Sequence, residues 1–365
     1  MLRWLLVLVL AACSTPSEPF DPWARGAFPV GHATVELDDA DRERQLVVEV
    51  WYPAVEARSG ASVATFESAS DAQSVLQALL DDAPDGCPTQ TMQAERDAPA
   101  LARESPLVAY SHCLRCGRYS AFSLAAWLAS HGIVVVAPAH AGPQPYADGS
   151  LDAPLDLAQL GLRAEDIGVT LDAAIDGSLF ASNAALAALT VDGGAIGMLG
   201  HSFGSATAGR VTTSDGRIRA VAGLAAPMES PLLPGVAVAD IDVPIMFVLA
   251  EEDNSIGELG NFVLRNNFDD AGAPAWRGDI ADAGHWSVAD VAGLVEPFSA
   301  GCGRGERHRA GRMGEPFDYL EPARGIEVTA QHITTFFAAH LLESPIAMER
   351  LADLPATEGV TVLAR

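Results

Sequence analysis

Gly200-His201-Ser202-Phe203-Gly204 follows directly on the apolar run Ala195 to Leu199 and leads into the helix-compatible stretch Ser205 to Val211. Strand, sharp turn and helix therefore meet on one serine, the pattern of a nucleophile elbow. So tight a turn strains the backbone at its centre. A side chain on either flank would strike the neighbouring strand or helix, which accounts for the two glycines.

Two further pieces follow in the order this pattern requires, each at the end of its own predicted strand. The run Val243 to Ala250 reads as a buried strand and passes straight into Glu251-Glu252-Asp253-Asn254. Asp253 is the expected acid, because it lies where the chain turns out of the strand and because a short carboxylate holds an imidazole with little freedom. Glu251 and Glu252 are read as solvated loop charges. His285 is the expected base, in Ala281-Asp282-Ala283-Gly284-His285-Trp286, where Gly284 allows a close backbone approach to the elbow. The chain has nine histidines, so position and order, not residue type, single this one out. An acyl-transfer site also needs N–H donors aimed at the developing oxyanion. Phe203, directly after the serine, supplies one, and the other is expected from the loop His112-Cys113-Leu114-Arg115-Cys116-Gly117, after the strand Pro106 to Ser111.

Ser111-His112-Cys113-Leu114 resembles the Ser-His-Gly-aliphatic segment of the exported α/β-hydrolases grouped with platelet-activating-factor acetylhydrolases and dienelactone hydrolases. Leu46 to Ala54 is similar to the opening strand of that group, Leu128 to His140 to its next helix end and strand, Arg163-Ala164-Glu165-Asp166-Ile167 to the helix before the elbow, and Gly301-Cys302-Gly303 to a segment after the histidine. The resemblance covers roughly residues 28 to 342. It implies an α/β-hydrolase fold, Ser202 as nucleophile, His285 as base, and the N–H groups of Leu114 and Phe203 as the oxyanion hole. Two departures stand out. Cys113 occupies the glycine position of the oxyanion loop, so a residue with a Cβ must hold that turn. In the acetylhydrolases the acid follows the strand after the elbow, but here Ala220 to Leu224 ends in Ala225-Ala226-Pro227 with no carboxylate before Glu229. That shifts the acid to Asp253, as in cutinase-like esterases.

Strand-like runs at 46–52, 106–111, 133–137, 195–199, 219–224, 244–250 and 277–281 alternate with helical stretches at 119–131, 163–176, 203–213, 255–268 and 327–342. The alternation predicts a mainly parallel sheet with helices on both faces, opened by an antiparallel strand near 31–37. The catalytic domain is expected over 28–343, with 344–365 as a C-terminal tail. Two excursions interrupt it. Residues 56–104 carry Val75, Leu76, Leu79 and Leu80 at helical spacing and are read as an insertion, either a lid over the pocket or a surface helix. Ala139 to Leu160 brings Pro143, Gln144, Pro145 and Tyr146 toward the same edge. Tyr146 and Trp286 are the expected substrate-pocket residues, with Phe203 beside them, although Trp286 and Phe203 could equally pack into the core. His112, His140 and His201 are read as supports that hold the loops by hydrogen bonds.

Met1-Leu2-Arg3 is followed by the apolar stretch Trp4 to Ala12 and then Cys13, too short to span a bilayer and shaped like an export signal. Leu10-Ala11-Ala12-Cys13 resembles a bacterial lipobox, which makes 1–13 a signal segment, Cys13 a lipidation site and 14–27 a linker; an ordinary signal peptide is the other reading. The expectation is an exported, envelope-located protein that meets the membrane only through its lipid. The remaining cysteines, Cys87, Cys113, Cys116 and Cys302, are even in number and admit three pairings. A tie from Cys87 or Cys302 to the 113–116 loop would stiffen it. A thioredoxin-like site lacks its surroundings, and zinc lacks a second pair of ligands.

The formal charge is −26, and all 22 basic residues are arginine. Without lysine there is no P-loop lysine, Schiff base, pyridoxal phosphate anchor or Ser-Lys dyad. A strongly negative chain also makes nucleic acid a poor partner. No metal or other cofactor is expected. Arg304, Arg307, His308, Arg309 and Arg312 form a local basic cluster, suited to an anionic group or to pairing with nearby acids. Together these readings point to a serine hydrolase of short-chain or acetyl esters of lipid-like molecules. A lipase or cutinase-like polyester hydrolase, an amidase or peptidase, and a binding lipoprotein that retains the fold are the alternatives.

Overall fold

The computed structural model describes residues 20–67, 70–81, 87, 91–114, 116–140, 156–290, 301–354 and 359–365. The chain opens with an antiparallel hairpin, β1 (Val30–Asp39) and β2 (Arg44–Pro53), followed by α1 (Ser70–Asp81) and the short β3 (Glu95–Arg96). Then come β4 (Arg103–Ser111), α2 (Phe122–Ser130), β5 (Val134–Pro138), α3 (Leu157–Ile175), β6 (Leu189–His201), α4 (Phe203–Ser214), β7 (Ile218–Leu224), β8 (Ile245–Ala250), α5 (Gly257–Asp270) and β9 (Ala275–Ile280). A small hairpin of β10 (Arg304–Glu306) and β11 (Pro316–Asp318) precedes α6 (Pro322–His340), α7 (Pro345–Ala352) and β12 (Val360–Ala364).

One ten-stranded sheet runs in the order β12-β9-β8-β7-β6-β4-β5-β2-β1-β3. The six strands from β5 to β9 in that order are parallel, and β2 and β12 flank them antiparallel. The inner strands are continuous apolar runs because both faces are covered. Their side chains alternate between two cores. Val108, Tyr110, Leu199 and Val248 meet Leu124 and Leu128 of α2 and Ile333 and Phe336 of α6. Leu107, Ala109, Met198 and Phe247 meet Ile167 and Leu171 of α3, Val211 of α4 and Leu264 of α5. All six parallel strands point the same way, so their carboxyl ends form one edge, and the loops that carry chemistry gather there.

Three sequence expectations change in the structure. β6 begins at Leu189, ahead of Ala195, and its first residues pair with Arg103 to Ser105 of β4 before an irregularity. Asp192-Gly193-Gly194 disguises that extension as a turn. The predicted tail, 344–365, is part of the architecture: α7 packs on α6, and β12 pairs with β9 from Val360↔Ile280 to Ala364↔Trp276. The described part of the expected linker, from residue 20, lies on the domain. Phe20 packs edge-on to His131 and Gly26 N–H donates to Ser130 Oγ at 2.9 Å. The described part of the insertion packs on the domain, with Val63, Phe66, Leu76 and Met92 buried in the α2 side of the core. Phe66 stacks on Tyr119 at 4.8 Å, and Arg118 bonds both Phe66 O and Glu67.

Candidate active site

Ser202 sits between β6 and α4 with φ 58° and ψ −121°. This is a strained conformation for a residue with a side chain, and it lifts the hydroxyl above the sheet. The glycines around it make room for it. A Cβ on Gly200 would overlap the Gly204 carbonyl, and one on Gly204 would overlap the carbonyl oxygen of Ser111. The elbow thus rests directly on the end of β4.

The three expected side chains form one hydrogen-bonded row. Asp253 Oδ2 lies 2.6 Å from His285 Nδ1, and His285 Nε2 lies 2.8 Å from Ser202 Oγ. An ionised carboxylate only accepts, so the imidazole carries its proton on Nδ1 and leaves Nε2 to accept from the serine hydroxyl. The other carboxylate oxygen of Asp253 accepts from the N–H groups of Ser255 (2.9 Å), Ile256 (2.8 Å) and Gly257 (3.3 Å) at the start of α5. Those donors and the helix N-terminus hold the charge in place. His285 is fixed through its backbone too. Its N–H donates to Asn254 Oδ1 at 3.1 Å, and its carbonyl accepts from His201 Nε2 at 3.0 Å. Burial, with His285 nearby, lowers the His201 pKa to about 3, so His201 is a neutral support.

The loop after β4 lies against the elbow. Cys113 O accepts from His112 Nδ1 at 2.8 Å, and the Arg163 guanidinium donates to His112 O at 2.6 Å and to Cys113 O at 3.4 Å. There are no cis peptides among the described residues, so the Leu114 N–H points opposite the Cys113 carbonyl, away from Arg163. The Phe203 N–H belongs to the first turn of α4, where no intrahelical acceptor exists. Behind the loop lies a second Ser-His-Asp row. Ser111 Oγ is 2.9 Å from His140 Nε2, and His140 Nδ1 is 3.2 Å from Asp166 Oδ2. All three side chains are fully buried, so this row braces the loop. Burial keeps His140 neutral, lowering its pKa well below the usual histidine value, and it raises that of Asp166 to about 6 against the pull of Arg44 and Arg42.

Residues 117–285 match the dienelactone hydrolase family profile. A solved structure described as a ferulic acid esterase from Streptomyces cinnamoneus superposes with a TM-score of 0.67 at 23% identity, covering 92% of this chain and 96% of that one. The chain has the α/β-hydrolase fold. With the family match spanning the elbow and the histidine, it is a hydrolase of ester substrates. No curated protein matches it in sequence.

The hydrolase departs from several expectations around this site. Glu252 is not a solvated loop charge: it is fully buried and bound by Arg307 (2.6 Å), Arg309 (3.0 Å) and the His308 N–H (2.9 Å). Glu251 pairs with Arg309 at 2.6 Å. The basic cluster therefore neutralises the two glutamates beside Asp253, and of the three adjacent carboxylates Asp253 alone bonds the histidine. Gly284 gives close approach to the Tyr319 ring and Gly301 instead of the elbow. The cysteines pair as Cys113–Cys116 and Cys87–Cys302, so neither Cys87 nor Cys302 bonds to the loop. They stiffen it by packing, since all four cysteines cluster with Trp286. Trp286, expected on the pocket wall or in the core, is 4% exposed and meets His285 edge-on at 4.5 Å. Tyr146 and Cys13 lie outside the described residues. Among the described residues no group of side chains could hold a metal ion.

Sequence reasoning missed the apolar cluster beside the serine, formed by Leu160, Phe203, Ala206 and Leu233 with Leu114 packed on it. It also missed Arg163. The signal was present, because Arg163 falls in register with Leu160, Ile167, Leu171 and Ala174 on the buried face of α3.

Proposed function

We propose that this α/β-hydrolase is a serine carboxylic-ester hydrolase working through an acyl-enzyme. Ser202 Oγ attacks the ester carbonyl while His285 Nε2 takes its proton. Asp253 orients the imidazole and stabilises its cation, and the N–H groups of Leu114 and Phe203 receive the oxyanion. His285 then protonates the leaving alcohol and activates the water that releases the acid. The continuous row from Asp253 through His285 to Ser202, at 2.6 and 2.8 Å, carries this reading. The cluster of Leu114, Leu160, Phe203 and Leu233 supports an apolar acyl or alkyl group next to the serine, consistent with short-chain esters of lipid-like molecules. An exported location, with Cys13 as the lipid-bearing residue, belongs to the same proposal. Two disulfides favour an oxidising compartment.

Burst kinetics on p-nitrophenyl acetate, butyrate and octanoate, with methyl ferulate beside them, test the reading. A serine-dependent burst that is strongest on the short esters is the expected result, and Ser202→Ala lowers turnover by about four orders of magnitude or more. Asp253→Asn is expected to cost on the order of 10⁴-fold by leaving the wrong histidine tautomer. Equal turnover by the Ser202→Ala protein would discard the mechanism, and a preference for methyl ferulate would reassign the acyl group.

A further inference from the structure

We infer that Arg163 is the positioning residue of the oxyanion hole. The inference rests on the acyl-enzyme reading above. Arg163 lies on the buried face of α3 and is 3% exposed. Among the described residues no carboxylate lies within ion-pairing distance of it. Burying an unpaired guanidinium is costly unless its donors are satisfied; the oxyanion loop satisfies its two terminal nitrogens, while Nε is buried without a hydrogen-bond partner. Two of its nitrogens donate to the carbonyls of His112 and Cys113, and its Cζ lies 4.6 Å from the ring centroid of Phe203. One side chain therefore touches both halves of the hole, the peptide that carries the Leu114 N–H and the residue that supplies the second N–H.

The physical consequence follows from peptide geometry. Pulling the Cys113 carbonyl toward α3 turns the N–H on the far side of the same rigid plane toward Ser202. A positive charge on the carbonyl end also polarises that peptide, which makes its N–H a stronger donor just where negative charge develops. Cys113 does not have a positive φ, so the turn does not demand the glycine that the sequence comparison expected there. Its carbonyl is held by Arg163 from α3 and by His112 from the loop, and its side chain by the bond to Cys116. Arg163 bonds the loop carbonyls and neither Ser202 nor His285, so it acts through the loop.

Steady-state kinetics of Arg163→Met and Arg163→Lys, with inhibition by an aliphatic trifluoromethyl ketone and by the matching methyl ketone, test this. In the fluoroketone adduct Ser202 Oγ bonds to the carbonyl carbon, its proton passes to His285, and the oxygen becomes an oxyanion that needs the hole. The methyl ketone binds without that charge. Arg163→Met is expected to lower kcat on the order of 10²-fold, the scale of one lost oxyanion donor, with KM within threefold. The fluoroketone weakens by a similar factor and the methyl ketone hardly changes. Arg163→Lys, which keeps the charge and reaches one carbonyl, recovers part of the loss. Near-UV circular dichroism establishes that each variant is folded. Should Arg163→Met not fold, Arg163→Lys and Arg163→Gln carry the test through the same ratio of fluoroketone to methyl-ketone affinity. An unchanged ratio in folded protein overturns the inference, and so does an equal loss of both ketones. A wild-type enzyme with no Ser202-dependent fluoroketone adduct would instead reject the acyl-enzyme reading, a different failure.

Discussion

The elbow around Ser202 and the loop around Cys113 do the same thing by opposite means. In the proposed mechanism each presents a backbone N–H to one point in space, and they touch along Gly204 and the Ser111 carbonyl. The elbow achieves its geometry by subtraction: glycines remove the atoms that would collide, and the turn is held by its own strand and helix. The loop achieves its geometry by addition. Arg163 from α3, the His140–Asp166 pair behind it and two packed cystines hold a residue that has no special freedom of its own. A turn made by subtraction is written into five consecutive residues. A turn made by addition depends on side chains from elements far apart in sequence, and it can be altered from any of them.

The largest expected effect breaks the subtractive half. Gly204→Ala inserts a Cβ into the Ser111 carbonyl, so elbow and loop must part. Displacements near 1 Å at a catalytic site cost about 10²-fold, and overpacking costs about 1–3 kcal/mol. Turnover and thermal melting should therefore fall together. A fully active Gly204→Ala enzyme would remove the contact from the argument.

The two cystines sharpen the contrast. Cys87–Cys302 spans a sequence separation of 215 and Cys113–Cys116 one of 3. In the chain-entropy account the first contributes on the order of 5 kcal/mol and the second on the order of 2 kcal/mol. Replacing Cys87 and Cys302 together by serine should lower the melting temperature by roughly 7 °C. Replacing Cys113 and Cys116 should cost mainly kcat, about tenfold, with a smaller change in melting. Scanning calorimetry and steady-state rates on both double variants measure the two effects, and the reverse pattern would put the loop's geometry elsewhere.

The smallest effect concerns pH. Asp290, buried beyond the histidine loop, accepts from the Ser123 N–H at 2.8 Å, and its own N–H donates to Ser120 O at 2.9 Å. It thereby ties the segment after the oxyanion loop to the segment after His285. Burial raises its pKa to about 7, opposed by that hydrogen bond and by Arg25. A carboxyl whose folded pKa is raised keeps its full stabilising contribution below its unfolded value near 4 and loses it as the pH climbs through about 7. Asp290→Asn should therefore flatten the decline of stability between about pH 4 and pH 7. Chemical denaturation at several pH values reads this directly, and an unchanged slope would mean that other groups set it.

The same contrast decides what the sequence could reveal. Ser202, Asp253 and His285 were legible because each closes a strand with a short-range signature, and the alternation of strands and helices followed from periodicity. The cystine pairing was not legible, since four cysteines scattered over more than two hundred residues admit every pairing until the fold brings them together. Arg163 was hidden by its charge: pattern reading assigns arginine to the surface, yet it occupies an apolar position in α3. β12 was hidden by its place at the end of the chain, although Val360 and Val362 already alternate toward the core. Glu252 was misjudged for the converse reason, because the arginines that neutralise it come from a hairpin more than fifty residues downstream.

Under the proposed lipid anchor at Cys13, the way the chain enters the domain bears on which way the enzyme faces. Phe20, Ala24, Gly26 and Phe28 gather around Ser130 and His131, at the end of α2 that leads into the start of β5. The loops around Ser202 sit at the opposite edge, where the parallel strands finish. Anything that tethers the chain ahead of residue 20 therefore pulls on the rear of the molecule and leaves the mouth of the site turned outward. An enzyme held in that attitude samples what diffuses past its surface more readily than what lies in the layer beneath it.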